Sequence, residues 1–277
     1  MSLAAALFLA AAVQAQPAAY PYTVDQPLSR PATARLVWRD EFDGKVIDKR
    51  KWRFDTSQNK TGWFNEELQY YSADRPANAR IEKGKLVITG RADEAAIKRN
   101  PDWGGQKYSS ARLVSRAAWK YGFVEVRAKL PCTGGTWPAI WMLPQVPGEW
   151  PDEGEIDIME HVGKVPGEVH GTIHTKSYNH IMKTQREAIK MVPTACTEFH
   201  DYQLEWTPEA IRIGVDGRAY LRVANDRPAE GKDAWPFDEK FELILNLALG
   251  GFWPGPVDDS KLPQRMDVDY VRVWQTR

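Results

Sequence analysis

From Leu36 to the C-terminus, short runs that alternate apolar with polar side chains are cut by Gly, Pro, Asn and Asp, and no long helical repeat interrupts them. A two-residue period puts neighbouring side chains on opposite faces of an extended segment, so each strand buries one face and needs a second layer to cover it. Strands are expected at 85–89, 122–130, 139–143, 155–160, 169–174, 200–206, 211–215, 241–249 and 266–274. In the second of these, Phe, Val, Val and Ala alternate with Glu, Arg and Lys. Val215-Asp216-Gly217-Arg218 has the Asp-Gly signature of a tight hairpin turn. Composition does not change along this stretch and no internal repeat is visible, which argues against a propeller. The texture predicts one all-β domain, a sandwich of two large antiparallel sheets.

Charge narrows the function classes. The chain has 37 basic and 37 acidic side chains and no Lys/Arg run, so it lacks the electrostatic footprint of a nucleic-acid binder. Tryptophan, at 12, outnumbers tyrosine at 10 and phenylalanine at 9, and flat rings in excess of core needs suit stacking on sugars. Residues 1–15 are uncharged and apolar and end in small side chains, as a signal peptide does, although the usual basic n-region is missing. That stretch is too short to span a bilayer, and no later segment is apolar enough to do so. Residues 16–34, rich in Pro and Ala, read as a linker outside the fold, which leaves 35–277 as the domain. A secreted protein, extracellular or periplasmic, is expected, a monomer with no membrane partner. Export permits a disulfide, and Cys132 and Cys196 are the two cysteines available; one bridge and two buried thiols both remain open.

One segment carries chemistry. Glu155, Asp157 and Glu160 lie inside an otherwise apolar strand flanked by Gly154 and Gly163. Glu155 and Asp157 share a face while Ile156 and Ile158 turn to the opposite layer. Glu160 falls out of phase, and a single bulge near Ile158-Met159 restores it to the face of the other two. Hydrolysis of a glycosidic bond needs one ionised and one protonated carboxyl group at the same pH. Packed acids supply that split, because like charges resist ionising together. Glu155 and Glu160 would stand roughly 13 Å apart at Cα, so their side chains must lean inward to reach the separation of about 5 Å used by retaining enzymes.

The motif Glu155-Ile156-Asp157-Ile158-Met159-Glu160 resembles the active-site signature of glycoside hydrolase family 16, in the version with the bulge residue. The resemblance extends over almost the whole domain. It includes Trp38-Arg39-Asp40-Glu41-Phe42, Glu67-Leu68-Gln69-Tyr70-Tyr71, Ser110-Ala111-Arg112-Leu113 and Trp137-Pro138-Ala139-Ile140-Trp141-Met142. Further along come Gly171-Thr172-Ile173-His174, Trp235-Pro236-Phe237-Asp238, Leu245-Asn246-Leu247-Ala248-Leu249-Gly250-Gly251 and Val268-Asp269-Tyr270-Val271-Arg272-Val273. It implies a concanavalin A-like jelly roll and, in the laminarinase-like branch, a retaining endo-β-1,3-glucanase acting on laminarin-type glucans without a catalytic cofactor. Carried over by position, Glu155 is the nucleophile, Glu160 the general acid/base and Asp157 the assisting acid. Glu66 and Trp63-Phe64 depart from the usual laminarinase pattern, at a loop that edges the cleft in relatives.

Substrate contacts are expected from Trp137 and Trp141, which alternate on one strand face, and from Trp235 and Trp253 in loops. The resemblance adds Asn65, Arg112, His174, Asn246 and Gln264, with His174 set near Glu160 to tune its proton affinity. His161 is expected to point to the opposite layer. His170 and His174 share a strand face but stand about 13 Å apart, too far for one zinc ion. The resemblance also implies a structural calcium at Glu41, Gly84 and Asp269, with the two acids as carboxylate ligands and Gly84 as a main-chain carbonyl, pinning the two ends of the chain. Alternatives are a β-1,3-1,4-glucanase, an agar- or carrageenan-cleaving enzyme of the same family, or a glucan-binding lectin on the same fold. An intact Glu155 and Glu160 count against the lectin, because binding needs neither a nucleophile nor an acid.

Overall fold

The computed structural model describes residues 21–276. The signal-peptide segment 1–15 lies outside the described residues. Among them the first strands are β1 (Thr23–Pro27), β2 (Arg35–Asp40), β3 (Trp52–Phe54), β4 (Gln69–Tyr71), β5 (Ala79–Ile81) and β6 (Leu86–Ala92). After a one-turn helix, α1 (Glu94–Ile97), come β7 (Tyr108–Ser110), β8 (Arg112–Trp119), β9 (Gly122–Lys129), β10 (Thr136–Pro144), β11 (Glu155–His161) and β12 (Glu168–His174). The chain continues through β13 (Arg186–Met191), β14 (His200–Trp206), β15 (Ala210–Val215), β16 (Arg218–Ala224), β17 (Phe241–Leu249) and β18 (Gln264–Gln275). No helix among the described residues is long and apolar enough to cross a membrane.

Two sheets result. The outer sheet runs β1-β16-β15-β14-β9-β18-β6-β7-β4, with β2 on β18 and β5 on β6, and the inner sheet runs β13-β12-β11-β10-β17-β8-β3. Each expected strand has its counterpart, and the sandwich is a jelly roll. One ladder departs from the antiparallel expectation: β4 and β7 pair in parallel, because the chain between them folds back through β5 and β6 and returns to the same end.

Between the sheets lies one continuous apolar core, to which Ile156, Ile158, Leu243, Leu245, Val124, Val126, Val271 and Val273 contribute buried side chains. Each such side chain stabilises the fold by about 1.5–3 kcal/mol on burial. The linker reading of 16–34 is corrected for its described part. Thr23–Pro27 pairs with β16, and Leu28 is buried against Phe123 and Ala219. Thr23 and Val24 are β-branched and suit an edge strand, and Pro27 stands at its last position, where a missing N–H costs least.

The bulge in β11 positions the site. On the β10 side, Ile140 pairs with Met159 and Trp141 with Asp157, so Ile158 is skipped. On the β12 side, Asp157 pairs with Thr172 and Glu160 with His170, so Gly171 alone opposes Ile158 and Met159. A Cβ on Gly171 would stand 2.7 Å from the Tyr220 hydroxyl of β16, so glycine is what lets the outer sheet press against the bulged ladder. The extra residue goes to the core, where Ile158 and Met159 are fully buried, and Glu160 returns to the face of Glu155 and Asp157.

Candidate active site

Three carboxylates line the face of β11 that turns away from the core. Glu155 accepts a hydrogen bond from Trp150 Nε1 at 3.0 Å. Glu160 accepts one from Trp137 Nε1 at 3.0 Å. Asp157, between them, is almost completely buried, and its Oδ2 lies 3.3 Å from His174 Nε2. Burial pushes the Glu155 carboxyl up to about 8, with the Asp157 charge adding to the rise and His174, Trp150 and Arg112 opposing it. Burial also holds Asp157 and Glu160 well above their ordinary values, and Glu160 further feels the charges of Asp157 and Glu155. Such a row keeps protons. The member with most groups favouring its anion is Glu155, and Glu160 is the member on which two other acids press.

The neighbours fall into two banks. The side of β12 and β13 holds imidazoles and carboxyl groups. His174 Nε2 is 3.8 Å from Glu155 Oε1, and His170 bonds Glu187 through Nδ1 at 2.5 Å and Glu168 through Nε2 at 3.1 Å. Above Glu155 the rings of Trp150, His180 and exposed Phe252 form a rim, with His180 centred 4.9 Å from Trp150 and 6.5 Å from Phe252.

On the side of β10, β17 and β8, indoles, an amide, a phenol and one guanidinium stand nearest the acids, with two carboxyl groups behind them. Trp141 Nε1 donates to Asn246 Oδ1 at 2.7 Å, and Asn246 Nδ2 donates to the Tyr71 hydroxyl at 3.0 Å. Arg112 stacks over Trp141 at 4.7 Å and over Trp63 at 5.3 Å while pairing with Asp55 at 3.0 Å. Beyond them Gln69 donates to Glu67, whose carboxyl burial pushes up. Asn65 takes a left-handed backbone, φ 58°, and its carbonyl accepts from Phe252 N, tying the loop at 63–67 to the loop after β17.

The structure therefore brings Asn65, Arg112, Trp137, Trp141, His174, Asn246 and Trp253 to the face of the three acids or its border. Trp253 meets Trp137 edge-on at 5.2 Å. Four expectations are corrected. His174 faces Glu155 and Asp157, and the imidazole opposite Glu160 is that of His170, because the bulge and the 162–167 turn together set the register. Trp235 is not exposed: it joins the core cluster, edge-on to Phe237 at 5.1 Å. Gln264 pairs with Gly90 in the outer sheet and bonds Lys261 O, away from the acids. The calcium set fails at its first carboxylate, since Arg272 takes both Glu41 oxygens at 2.9 and 2.8 Å while Asp269 faces Arg127 at 3.6 Å and Lys85 at 3.8 Å. With Glu41 closed by a guanidinium, these side-chain donors do not fit a calcium ion, and ion pairs hold this part of the outer sheet.

Residues beyond the sequence reading also belong here: Trp150, Tyr71, Glu67, Glu187 and Glu168. His161 points to the opposite layer, where it accepts from Gly167 N at 3.1 Å and sits 3.7 Å from Cys132 Sγ. Cys132 and Cys196 form a disulfide, so this His-Cys-Cys group offers no thiolate to a metal. Glu155, Asp157 and His174 also gather closely, but the chemistry of two carboxyl groups in different protonation states needs no ion.

Comparison with known proteins covers the domain that carries these acids. Residues 40–272 match the model of glycosyl hydrolases family 16. The chain is 50% identical over 252 residues to a β-glucanase of Rhodothermus marinus, covering 87% of this chain and 85% of that one. It is 36% identical over 252 residues to a glucan endo-1,3-β-glucosidase of Cryptopygus antarcticus, covering 86% and 91% of the two chains. The crystal structure of a non-specific endo-β-1,3(4)-glucanase superimposes with a TM-score of 0.90 at 49% identity, covering 95% of this chain and 98% of that one. A bulged strand with three acids on a two-sheet fold and a match of this extent have one reading in common: the chain is a glycoside hydrolase and belongs to glycosyl hydrolase family 16.

Proposed function

We propose that the protein is an endo-β-1,3-glucanase that cuts internal bonds of laminarin-type glucans by double displacement with retention. The observation that carries the mechanism is the separate surroundings of the two outer acids: Glu155 is bonded by Trp150 with His174 nearby, and Glu160 is bonded by Trp137 and stands opposite His170 in the ladder. Glu155, whose anion His174, Trp150 and Arg112 favour, attacks the anomeric carbon in its ionised form while Glu160, on which two other acids press, passes its proton to the departing oxygen. Water then attacks the glycosyl-enzyme ester, giving its proton to Glu160 and releasing Glu155. Asp157 sits against Glu155 and orients it through the exchange of its own proton. Relatives named as glucan endo-1,3-β-glucosidases support the β-1,3 linkage, and the non-specific β-1,3(4)-glucanase favours a second reading with wider tolerance.

The test is reducing-end release from laminarin, mixed-linkage β-glucan, agarose and κ-carrageenan by the wild type and Glu155→Gln, with the anomer first formed read by NMR. Laminarin cut with a β-anomer product and a folded, inactive variant is the expected result. Cleavage of agarose or carrageenan alone overturns the substrate, and an α-anomer product overturns retention. Export is part of the same reading and is supported by the leader-like start and the Cys132–Cys196 bridge. N-terminal sequencing of the protein from culture medium and periplasm should find Gln16 first; a start at Met1 in the cytosol alone overturns it.

A further inference from the structure

Both outer acids face a histidine across the β11–β12 ladder, Glu160 with His170 and Glu155 with His174. His174 is the ordinary case: burial lowers its imidazole, which stays neutral. His170 is held differently. Its two ring nitrogens each meet a carboxylate, Glu187 at 2.5 Å and Glu168 at 3.1 Å. A neutral imidazole has one N–H to give, and two carboxylate acceptors require two, so the ring carries its second proton. We propose that the Glu187–His170 pair is a positioning device for the acid/base: Glu187 and Glu168 fix His170 as an imidazolium, and that cation stabilises Glu160 as a carboxylate once its proton has gone to the departing sugar oxygen.

The surroundings make the charge count. Trp253 stands perpendicular to His170 at 4.9 Å and to Trp137 at 5.2 Å, and Trp137 donates to Glu160. Glu160 is thus half-buried, bonded by one indole and opposite one cation across the ladder, where a unit charge acts more strongly than in bulk water. The titratable groups around His170 are Glu168 on its own strand, Glu187 on β13, and Glu160 and His161 on β11. The Tyr220 hydroxyl lies beneath Gly171 from β16, and Lys164 is bonded to the Trp253 carbonyl. Burial works to lower the His170 imidazole, but the bond and charge of Glu187, with Glu160 and Glu168, raise it overall. His161 responds in the opposite sense, lowered to about 4 by burial and by the positive His170.

The proposal rests on Glu160 being the acid/base, and its test separates the two. Nitrogen-15 NMR of the wild type at pH 7.5 should show both His170 ring nitrogens protonated, with the neutral form appearing in Glu187→Gln; a neutral ring in the wild type overturns the proposal whatever the substrate. In His170→Gln the alkaline limb of kcat/KM should move up by about half to one pH unit, because protonated Glu160 has lost the cation that favours its anion. Hydrolysis of laminarin oligosaccharides should fall about tenfold, whereas a dinitrophenyl β-glucoside of the same chain length, whose leaving group needs no proton, should stay within about twofold. Equal losses on both substrates, or an unmoved limb, overturn the proposal. Loss of laminarin cleavage by the wild type itself would instead remove the glucanase reading and leave the charge of His170 to the NMR result.

Discussion

The two banks of the catalytic strand differ in kind. On the β12–β13 bank two histidines face the acids, His174 beside Glu155 and Asp157 and His170 opposite Glu160, and two glutamates hold His170. On the β10–β17–β8 bank the chain Trp141–Asn246–Tyr71 and the stacked Arg112 offer indole, amide, phenol and guanidinium groups. Indoles and amides hold sugar rings and hydroxyls without changing charge, whereas imidazoles and carboxylates follow the charge as it moves. The difference suggests a division of labour across β11, with recognition on one bank and proton management on the other.

The division has measurable edges. Glu155→Gln should lower kcat/KM on laminarin by on the order of 10⁴ or more with the circular dichroism spectrum unchanged, since it removes the proposed nucleophile. Asn246→Ala on the recognition bank should cost only about 10- to 100-fold, divided between KM and kcat, with pH limits unmoved. A shifted pH limit in that variant would break the comparison. Stability should show the opposite sign. Glu155 is pushed above its unfolded value of 4.5 to about 8, so the folded state holds a proton that the unfolded state releases, and Glu155 weakens the fold increasingly as pH rises through that window. Glu155→Gln should therefore melt about 2–4 °C higher than the wild type at pH 8, with the gain vanishing near pH 4.5. Glu41 on the outer sheet is the control, because Arg272 lowers its carboxyl. Glu41→Gln should lose at most about 1 kcal/mol above pH 4.5, a loss that disappears as the pH falls below the folded value.

Much of this was legible because it is local. The acids of β11 and the need for a bulge follow from spacing alone, and the long strands follow from alternation. Three-residue strands such as β3, β4, β5 and β7 carry no period to read. The partner of each catalytic acid was not legible, because it depends on the ladder register with β12, which one skipped residue shifts. Trp150 lies in a Pro- and Gly-rich loop whose path no pattern reveals, and Trp235 broke the expectation that loop indoles are exposed because its loop packs onto the core. Glu187, on a strand with weak alternation, becomes significant only once β13 is laid beside β12.

The added strand β1 has a further consequence, for association between molecules. Without Thr23–Pro27, β16 would end the outer sheet with seven residues, Arg218–Ala224, of unpaired backbone, and alternate side chains of that strand are buried apolar groups. A strand of that length with a free edge is a template for pairing with another copy of itself. β1 replaces it with a shorter border that carries Asp25, paired with Arg218, and closes on Pro27, which has no N–H to offer. Five residues that contribute nothing to the chemistry thus serve as the guard of the protein's solubility, and shortening the chain past them would expose the molecule to self-association before it touched the active site.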